Sequence, residues 1–158
     1  MKMDKPSQLP LRVPSADKRE TRSQFAALCY RVVDAKLQVL VVTSRRSKRW
    51  ILPKGWPENG LTPAQTAARE AYEEAGVEGK TFDVCLGVYS FVKLMPDDAL
   101  VPFMAMIYPL KVKKTHKKYP EVGQRKRRWV SPKKAAKLVD EPELKRLLLT
   151  FDPKRIQR

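Results

Sequence analysis

A chain of 158 residues with 42% hydrophobic content has room for one domain with a buried core and is not wholly disordered. Lysine and arginine number 33 against 17 acidic residues, a formal net charge of +16, which points to an anionic partner: nucleic acid, an anionic membrane surface or a phosphate-dense small molecule. No apolar run approaches the roughly 20 residues of a membrane span, and residues 1–22 lack the apolar core of a secretory signal. Cys29 and Cys85 lie far apart in apolar stretches, which excludes a disulfide scaffold and a cysteine zinc site and leads us to expect a reduced, cytoplasmic protein.

In chain order, residues 1–22 read as a basic irregular tail punctuated by Pro6, Pro10 and Pro14. Residues 25–33 and 37–43 are apolar and β-branched, and with Asp34, Ala35 and Lys36 between them they predict a hairpin. A basic loop with Arg45, Arg46, Lys48 and Arg49 follows, then a short apolar return at Trp50, Ile51 and Leu52. The clearest helix spans 62–75: Thr62 as cap, Pro63 at the first helical position, Gln65 at capping-box spacing and Gly76 as the terminating glycine. Residues 82–95 and 100–112 predict two long strands around a turn at Pro96, Asp97 and Asp98. Residues 111–118 predict a basic loop, 127–130 a short strand, and Ser131–Pro132 and 141–149 two further helices. The pattern is α+β, a mixed sheet with a few helices. It forms one domain over 23–150, and 151–158 is expected to be a basic C-terminal tail.

The chemistry concentrates in residues 55–77, a Gly/Pro loop followed by Arg69, Glu70, Ala71, Tyr72, Glu73, Glu74, Ala75, Gly76 and Val77. At about 100° per residue, with Glu70 at 0°, Glu74 lies near about +40° and Glu73 near about −60°. Three carboxylates therefore share one arc, and Ala64, Ala67, Ala68, Ala71 and Ala75 fill the adjoining one. Such like charges repel, and a hard divalent cation, Mg²⁺ or Mn²⁺, relieves the repulsion through oxygen ligands. The alternative is a solvated acidic face. Against it stand the otherwise basic chain and the absence of lysine at i+4 from any of the three glutamates.

This stretch resembles the Nudix hydrolases, whose pattern runs Gly, five residues, Glu, seven residues, Arg-Glu, an apolar residue, any residue, Glu-Glu, any residue, Gly, apolar. Gly55, Arg69, Glu70, Ala71, Glu73, Glu74, Gly76 and Val77 stand at the matching places, and Leu61 stands where the first glutamate belongs. The resemblance implies the Nudix α/β/α sandwich with a mixed sheet and a loop–helix–loop catalytic motif. It implies hydrolysis of a diphosphate bond, with Glu70, Glu73, Glu74 and the Gly55 carbonyl as metal ligands and Arg69 orienting carboxylates. It leaves open which glutamate is the general base. Leu61 cannot partner Arg69, and Glu58 is the candidate replacement. With the three helix carboxylates intact, activity is expected to survive; an inactive Nudix fold that binds anions or nucleic acid is the alternative.

The approach to the motif, with Arg49, Trp50 and Pro53, and its Glu-Glu-Ala-Gly-Val exit are similar to the diphosphoinositol polyphosphate phosphohydrolase branch of that family. That similarity implies a phosphate-dense small-molecule substrate, a diphosphoinositol or dinucleoside polyphosphate. ADP-ribose, nucleoside triphosphates and capped RNA ends are the alternatives. Arg45, Arg46, Lys48, Arg49 and Lys54 are the candidate phosphate contacts, since arginine's fork and lysine's point charge suit phosphate oxygens; solubilising loop charges are the plain alternative. A second basic cluster, Lys111 to Lys118 and Arg125 to Arg128, converges on the same cleft or forms a surface footprint. Glu121 is a candidate further metal ligand. His116 is expected to be a surface residue, Trp56 a packed loop residue, and Tyr30, Tyr89, Phe91, Phe103 and Tyr108 sheet core. No membrane association is expected, nucleic acid is not the favoured partner, and the sequence does not give the oligomeric state.

Overall fold

The computed structural model describes residues 22–156. Its strands are Ser23–Val33 (β1), Lys36–Thr43 (β2), Trp50–Ile51 (β3), Lys54–Gly55 (β4), Val77–Thr81 (β5), Gly87–Leu94 (β6), Leu100–Thr115 (β7) and Arg127–Val130 (β8). Its helices are Pro63–Ala75 (α1), Pro132–Leu138 (α2) and Pro142–Thr150 (α3). The strands form one mixed sheet ordered β3-β2-β1-β7-β5, with β4 beside β1, β6 beside β7 and β8 beside β2. β1 and β7 run parallel, and the remaining pairs are antiparallel.

Alternation along β1 builds the layers. Phe25, Ala27 and Cys29 face α1 together with Leu40 and Val42, whereas Ala26, Leu28 and Tyr30 face α2 and α3 with Val39 and Val41. Both faces of the central strand are covered, so it is apolar on both sides, and the result is the expected α/β/α sandwich. Ala64, Ala67, Ala68, Ala71 and Ala75 are all buried, as their shared arc requires, and their small side chains let α1 lie close to the sheet. Leu28 and Leu40 are fully buried, each contributing about 1.5–3 kcal/mol.

Local chemistry sets the element ends. The Thr62 hydroxyl accepts from the Gln65 amide at 3.2 Å, and the Gln65 side chain accepts from the Thr62 amide at 3.1 Å, a complete capping box. Gly76 closes α1 at φ 67°, donating to the Tyr72 carbonyl, and any side chain there would collide with the Tyr119 ring. The β1–β2 hairpin turns at Asp34 and Ala35, with φ 51° and 62°, the doubly left-handed turn that suits strand twist.

Three expectations need correction, and one strand was not expected; the strand expected over 82–95 runs only over Gly87–Leu94. Residues 77–81, which carry no clear strand period, form β5, because β7 offers them backbone partners from Val77↔Thr115 to Thr81↔Leu110. For the same reason the basic run 111–118 is strand as far as Thr115 and loop only beyond it; ladder bonds override the lysine-rich composition. Residues 151–156 are not a free tail: the Phe151 ring packs on Tyr30 at 5.3 Å between centroids, and Ile156 is buried in the α2–α3 side of the core. The expected tail over 1–22 lies, apart from Arg22, outside the described residues, as do 157 and 158.

Candidate active site

Gly55 is held on β4 against Phe25 of β1, and α1 crosses so near that a Cβ on Gly55 would overlap the Glu70 carboxyl. A side chain at this position would have to push the Glu70 carboxyl aside. Glu74, one turn on, is 6% exposed. Its Oε1 is buried without a hydrogen-bond partner, and its Oε2 lies 3.7 Å from Arg125 Nη2. Glu73 points to the open side and accepts from Arg69 Nε at 3.2 Å. Arg69 Nη1 stands 3.5 Å from Glu58 Oε1, so Glu58 does partner the arginine that Leu61 cannot reach.

The carboxyls bear the marks of crowding. Glu70 is pushed from 4.5 up to about 8, first by burial and then by the charges of Glu74, Glu73, Glu58 and Glu121. Glu74 is pushed to about 7 by burial, against the pull of Arg125 and Lys54. Burial of this kind disfavours charge until a cation arrives. The donor set is hard oxygen, it includes an unpartnered buried carboxylate oxygen, and the Glu70 carboxyl occupies the space that a side chain on Gly55 would fill. Together these fit a divalent ion of the Mg²⁺ or Mn²⁺ class. Among the described residues no three acidic, histidine or cysteine side chains already form a closed cage. Glu73 is drawn to Arg69 and Glu74 to Arg125, so a metal would have to draw them back.

The other half of the site is a loop that sequence reasoning left mostly unassigned. The His116 amide donates to the Gly76 carbonyl at 2.7 Å and the Glu121 amide to the Glu73 carbonyl at 3.0 Å. Arg127 donates to the Ala75 carbonyl at 2.6 Å and the His116 carbonyl at 2.8 Å, with Tyr119 stacked 4.8 Å from its guanidinium. These bonds satisfy orphan carbonyls at the C-terminus of α1 and fix the loop to the glutamate helix. Glu121 is thereby brought within electrostatic reach of Glu70 and Glu74 and is bridged to Arg125 Nε at 3.3 Å. Arg125, 9% exposed at its side chain, also donates to the Thr43 carbonyl at 3.1 Å. It is a member of the second basic cluster, Arg125 to Arg128. His116 is not a free surface residue: it is half-buried, bonds Glu78 at 2.9 Å and packs edge-on to Tyr72 at 5.6 Å.

The predicted cations surround this centre unevenly. Lys54 lies 4.7 Å over the Phe91 ring, and its ammonium is brought down to about 8 by burial, opposed by Glu74 and Glu141. Lys93, unforeseen, lies 4.9 Å over Trp56; its ammonium is lowered by burial and sits in the fields of Glu74, Arg45, Arg125 and Arg46. Arg45 donates to Gln124 at 3.3 Å and Arg46 to the Met95 carbonyl at 3.3 Å. Both are exposed. Arg49 is tied elsewhere, to Asp140 at 3.4 Å and Glu141 at 3.6 Å. Lys48 lines a cleft of about 510 Å³ with Thr43, Trp50, Gln124, Arg125 and Lys126. Trp56 packs against Phe103 at 5.2 Å, and Tyr89, Phe91, Phe103 and Tyr108 are buried in the sheet core as expected.

A three-layer sandwich whose Gly55 loop delivers Glu70, Glu73 and Glu74 on one helix is the arrangement of an enzyme that cleaves pyrophosphate bonds. The Nudix domain model matches residues 22–151, and the chain belongs to the Nudix hydrolase family. It is 33% identical over 146 residues to Nudix hydrolase 12, mitochondrial, of Arabidopsis thaliana, covering 90% of this chain and 69% of that one. Diphosphoinositol polyphosphate phosphohydrolase 2 of Rattus norvegicus is 42% identical over 64 residues, covering 40% of this chain and 36% of the relative. Among solved structures, the C. elegans Ap4A hydrolase has the same fold, with TM-score 0.59 at 20% identity over 82% of this chain and 94% of that one.

Proposed function

We propose that this chain hydrolyses a diphosphate bond in a small, phosphate-dense molecule, a dinucleoside or diphosphoinositol polyphosphate, and that it requires Mg²⁺ or Mn²⁺. The observation that carries the reading is the juxtaposition of half-buried Glu70 and buried Glu74 with Lys54, Lys93 and Arg125, all three within electrostatic reach of Glu74. Polyphosphate needs both: a place for metal and a rim of cations. Glu70, Glu73 and Glu74, with the Gly55 carbonyl and Glu121 as further candidates, would hold the ion. When bound, it supplies Lewis acidity toward phosphoryl oxygens and lowers the pKa of a coordinated water.

The remaining work belongs to the chain. Arg125 is already paired with Glu74 and Glu121. It holds their carboxylates in place and presents donors to an incoming phosphate. Lys54 and Lys93, resting on Phe91 and Trp56, keep their charges at the buried end of the cleft, where low dielectric strengthens attraction for phosphate. Arg45, Arg46 and Lys48 stand on the outer loop, where they speed encounter with a polyanion more than they tighten its grip. Arg69, held by Glu58 and Glu73, keeps the loop on the helix.

A cytoplasmic home is part of the same reading. It is supported by the free thiols of Cys29 and Cys85, and no helix among the described residues is long and apolar enough to cross a membrane. The test is turnover of a panel of diphosphate compounds with and without Mg²⁺ or Mn²⁺, beside Glu73→Gln and Glu74→Gln. Metal-dependent cleavage of polyphosphate substrates that is lost in the variants supports the proposal. No turnover, with RNA binding unaffected by the variants, overturns it in favour of an inactive binding fold.

A further inference from the structure

Two stretches far apart in sequence, 43–50 and 123–126, enclose a cleft of about 510 Å³ whose lining side chains are those of Thr43, Lys48, Trp50, Gln124, Arg125 and Lys126. Ligand pockets occupy about 300–1,000 Å³, so the space is of ligand size. Its walls are fixed by hydrogen bonds. The Thr43 amide donates to the Lys126 carbonyl at 3.0 Å, the Lys126 amide donates to the Thr43 hydroxyl at 3.0 Å, and Arg125 Nη1 donates to the Thr43 carbonyl at 3.1 Å. In the other wall the Ser44 amide donates to the Arg49 carbonyl at 2.8 Å and the Lys48 amide to the Ser44 carbonyl at 3.1 Å. Lys48 is thereby held at φ 57°, a left-handed backbone that disfavours a residue with a side chain. The lining carries three cations, and no described acidic residue belongs to it. Among the described residues neither the Lys48 nor the Lys126 ammonium has a partner, whereas Arg49, next in the chain to Lys48, is tied to Asp140 and Glu141.

We infer that this cleft is a substrate subsite for a phosphate beyond the pair that is cleaved, held by Lys126 and Arg125. The inference rests on the polyphosphate reading above. Arg125 makes the connection: it lines the cleft and also reaches Glu74 Oε2 at 3.7 Å and Glu121 Oε1 at 3.3 Å. A diphosphate seated at the motif glutamates therefore has the cleft one guanidinium away. The next phosphate of the same molecule passes over Arg125, which keeps N–H groups beyond those given to Glu74, Glu121 and Thr43. It then meets cations that no acid has neutralised, in a lining where nothing repels it. Lys126 follows Arg125 directly, and its backbone is bonded twice to Thr43, so its ammonium extends from a fixed point. Lys48, on the outer loop, draws the anion in. Trp50, which also packs against the α2–α3 side of the core, supplies an apolar wall for the ring that carries the phosphate.

The experiment measures KM and kcat for a dinucleoside polyphosphate, which has phosphates beyond the cleaved pair, and for ADP-ribose, which has none, in the full chain and in Lys126→Gln, Lys126→Glu and Lys126→Arg. Lys126→Gln should raise KM for the polyphosphate about threefold to fivefold with kcat nearly unchanged, and Lys126→Glu about tenfold or more. Lys126→Arg keeps the charge and should stay within about twofold of the parent. ADP-ribose should be insensitive throughout, and the control Lys134→Gln, exposed on α2, should move neither substrate. Lys126 bonds Thr43 through its backbone alone, so its variants should melt within a few degrees of the parent; a merely structural role would lower Tm and depress both substrates. KM values in Lys126→Gln that are unmoved, or raised alike for both substrates, overturn the proposal. Inhibition by inorganic phosphate that is non-competitive with the polyphosphate and lost in Lys126→Glu assigns the cleft to a separate anion and overturns it too. If the parent does not cleave the polyphosphate, the polyphosphate reading fails. The cleft is then read by calorimetry with inorganic tripolyphosphate in chelator: binding about tenfold weaker in Lys48→Gln/Lys126→Gln upholds an anion site there, and equal binding rejects it.

Discussion

The crowded carboxyls of α1 lead to a stability that depends on pH and metal together. With Glu70 held up to about 8 and Glu74 to about 7, against 4.5 ordinarily, the metal-free folded state keeps protons that the unfolded chain releases. Below about pH 4.5 both states are protonated and nothing is lost. From there to about pH 8 the unfolded chain ionises and the folded one does not, so stability falls as pH rises; above about 8 the penalty is constant. For Glu70 alone, full conversion of the shift is about 5 kcal/mol. Partial solvation of that carboxyl and its coupling to Glu74 reduce the expectation to about 2–3 kcal/mol for the pair. In a protein of this size that is a drop of about 6–10 °C in Tm between pH 5 and pH 8.5. A divalent ion binds the ionised carboxylates, so Mg²⁺ should restore more of the Tm at pH 8.5 than at pH 5.5. The assay is thermal melting followed by circular dichroism in chelator and in Mg²⁺ across that range, with the Glu70→Gln/Glu74→Gln double variant as baseline for every other titrating group. Parallel curves for parent and double variant in chelator, or an equal Mg²⁺ shift at both pH values, would refute the reasoning.

Other outcomes follow from single contacts. Arg127→Ala leaves the Ala75 and His116 carbonyls without their donor and should lower stability by about 2–4 kcal/mol in denaturant titration. Arg127→Lys, which lacks the fork, should recover less than half of that. Gly55→Ala forces a Cβ into the Glu70 carboxyl; it should weaken metal binding measured by calorimetry and destabilise by about 1–3 kcal/mol. Glu58→Gln should cost less than about 1 kcal/mol, because the pair with Arg69 is partly exposed. Leu61→Glu in that background should recover the loss if Arg69 accepts the family's usual partner. Ala35→Gly relieves the left-handed φ of 62° and should raise stability by about 1 kcal/mol, read as an upward shift in Tm.

What could be read from the residues, and what could not, divides along a physical line. The capped helix at Thr62, its alanine face and the arc of three glutamates are local: cap, period and spacing lie within one turn or a few, and each stands in the structure as expected. β5 was missed because its evidence lies some thirty residues downstream in the β7 backbone. The lysines after Leu110 looked like loop for the same reason, since their strand is held by ladder partners on β5 more than by apolar side chains. The site divides likewise. Glu70, Glu73, Glu74 and Gly55 share one stretch of chain and were recognisable together. Arg125 and Arg127 stood in a basic cluster that fitted a cleft or a surface footprint equally, whereas Lys93 comes from β6 and Glu141 from the link between α2 and α3, and single cations or acids in a basic chain carry no mark of where they will fold.

The surplus of positive charge acquires a finer meaning from that arrangement. A net charge of +16 by itself admits any polyanion, and the flat, continuous basic face that a duplex would need is one way to spend it. The charges nearest the motif are not spread in that way. Lys54 and Lys93 lie on aromatic rings, Arg125 is pinned between two carboxylates, and Arg49 is drawn off to Glu141, while only Arg45, Arg46 and Lys48 remain on the open loop. Cations interleaved with buried acids give a field that changes sign over a few ångströms. Such a field distinguishes the position of each phosphate in a compact molecule, and it penalises a long uniform polyanion that would have to lie across Glu70, Glu74 and Glu141 as well as the lysines. On the proposed function, selection of a small ligand would rest on the acids placed among the bases, and the bulk charge would serve mainly the rate of encounter.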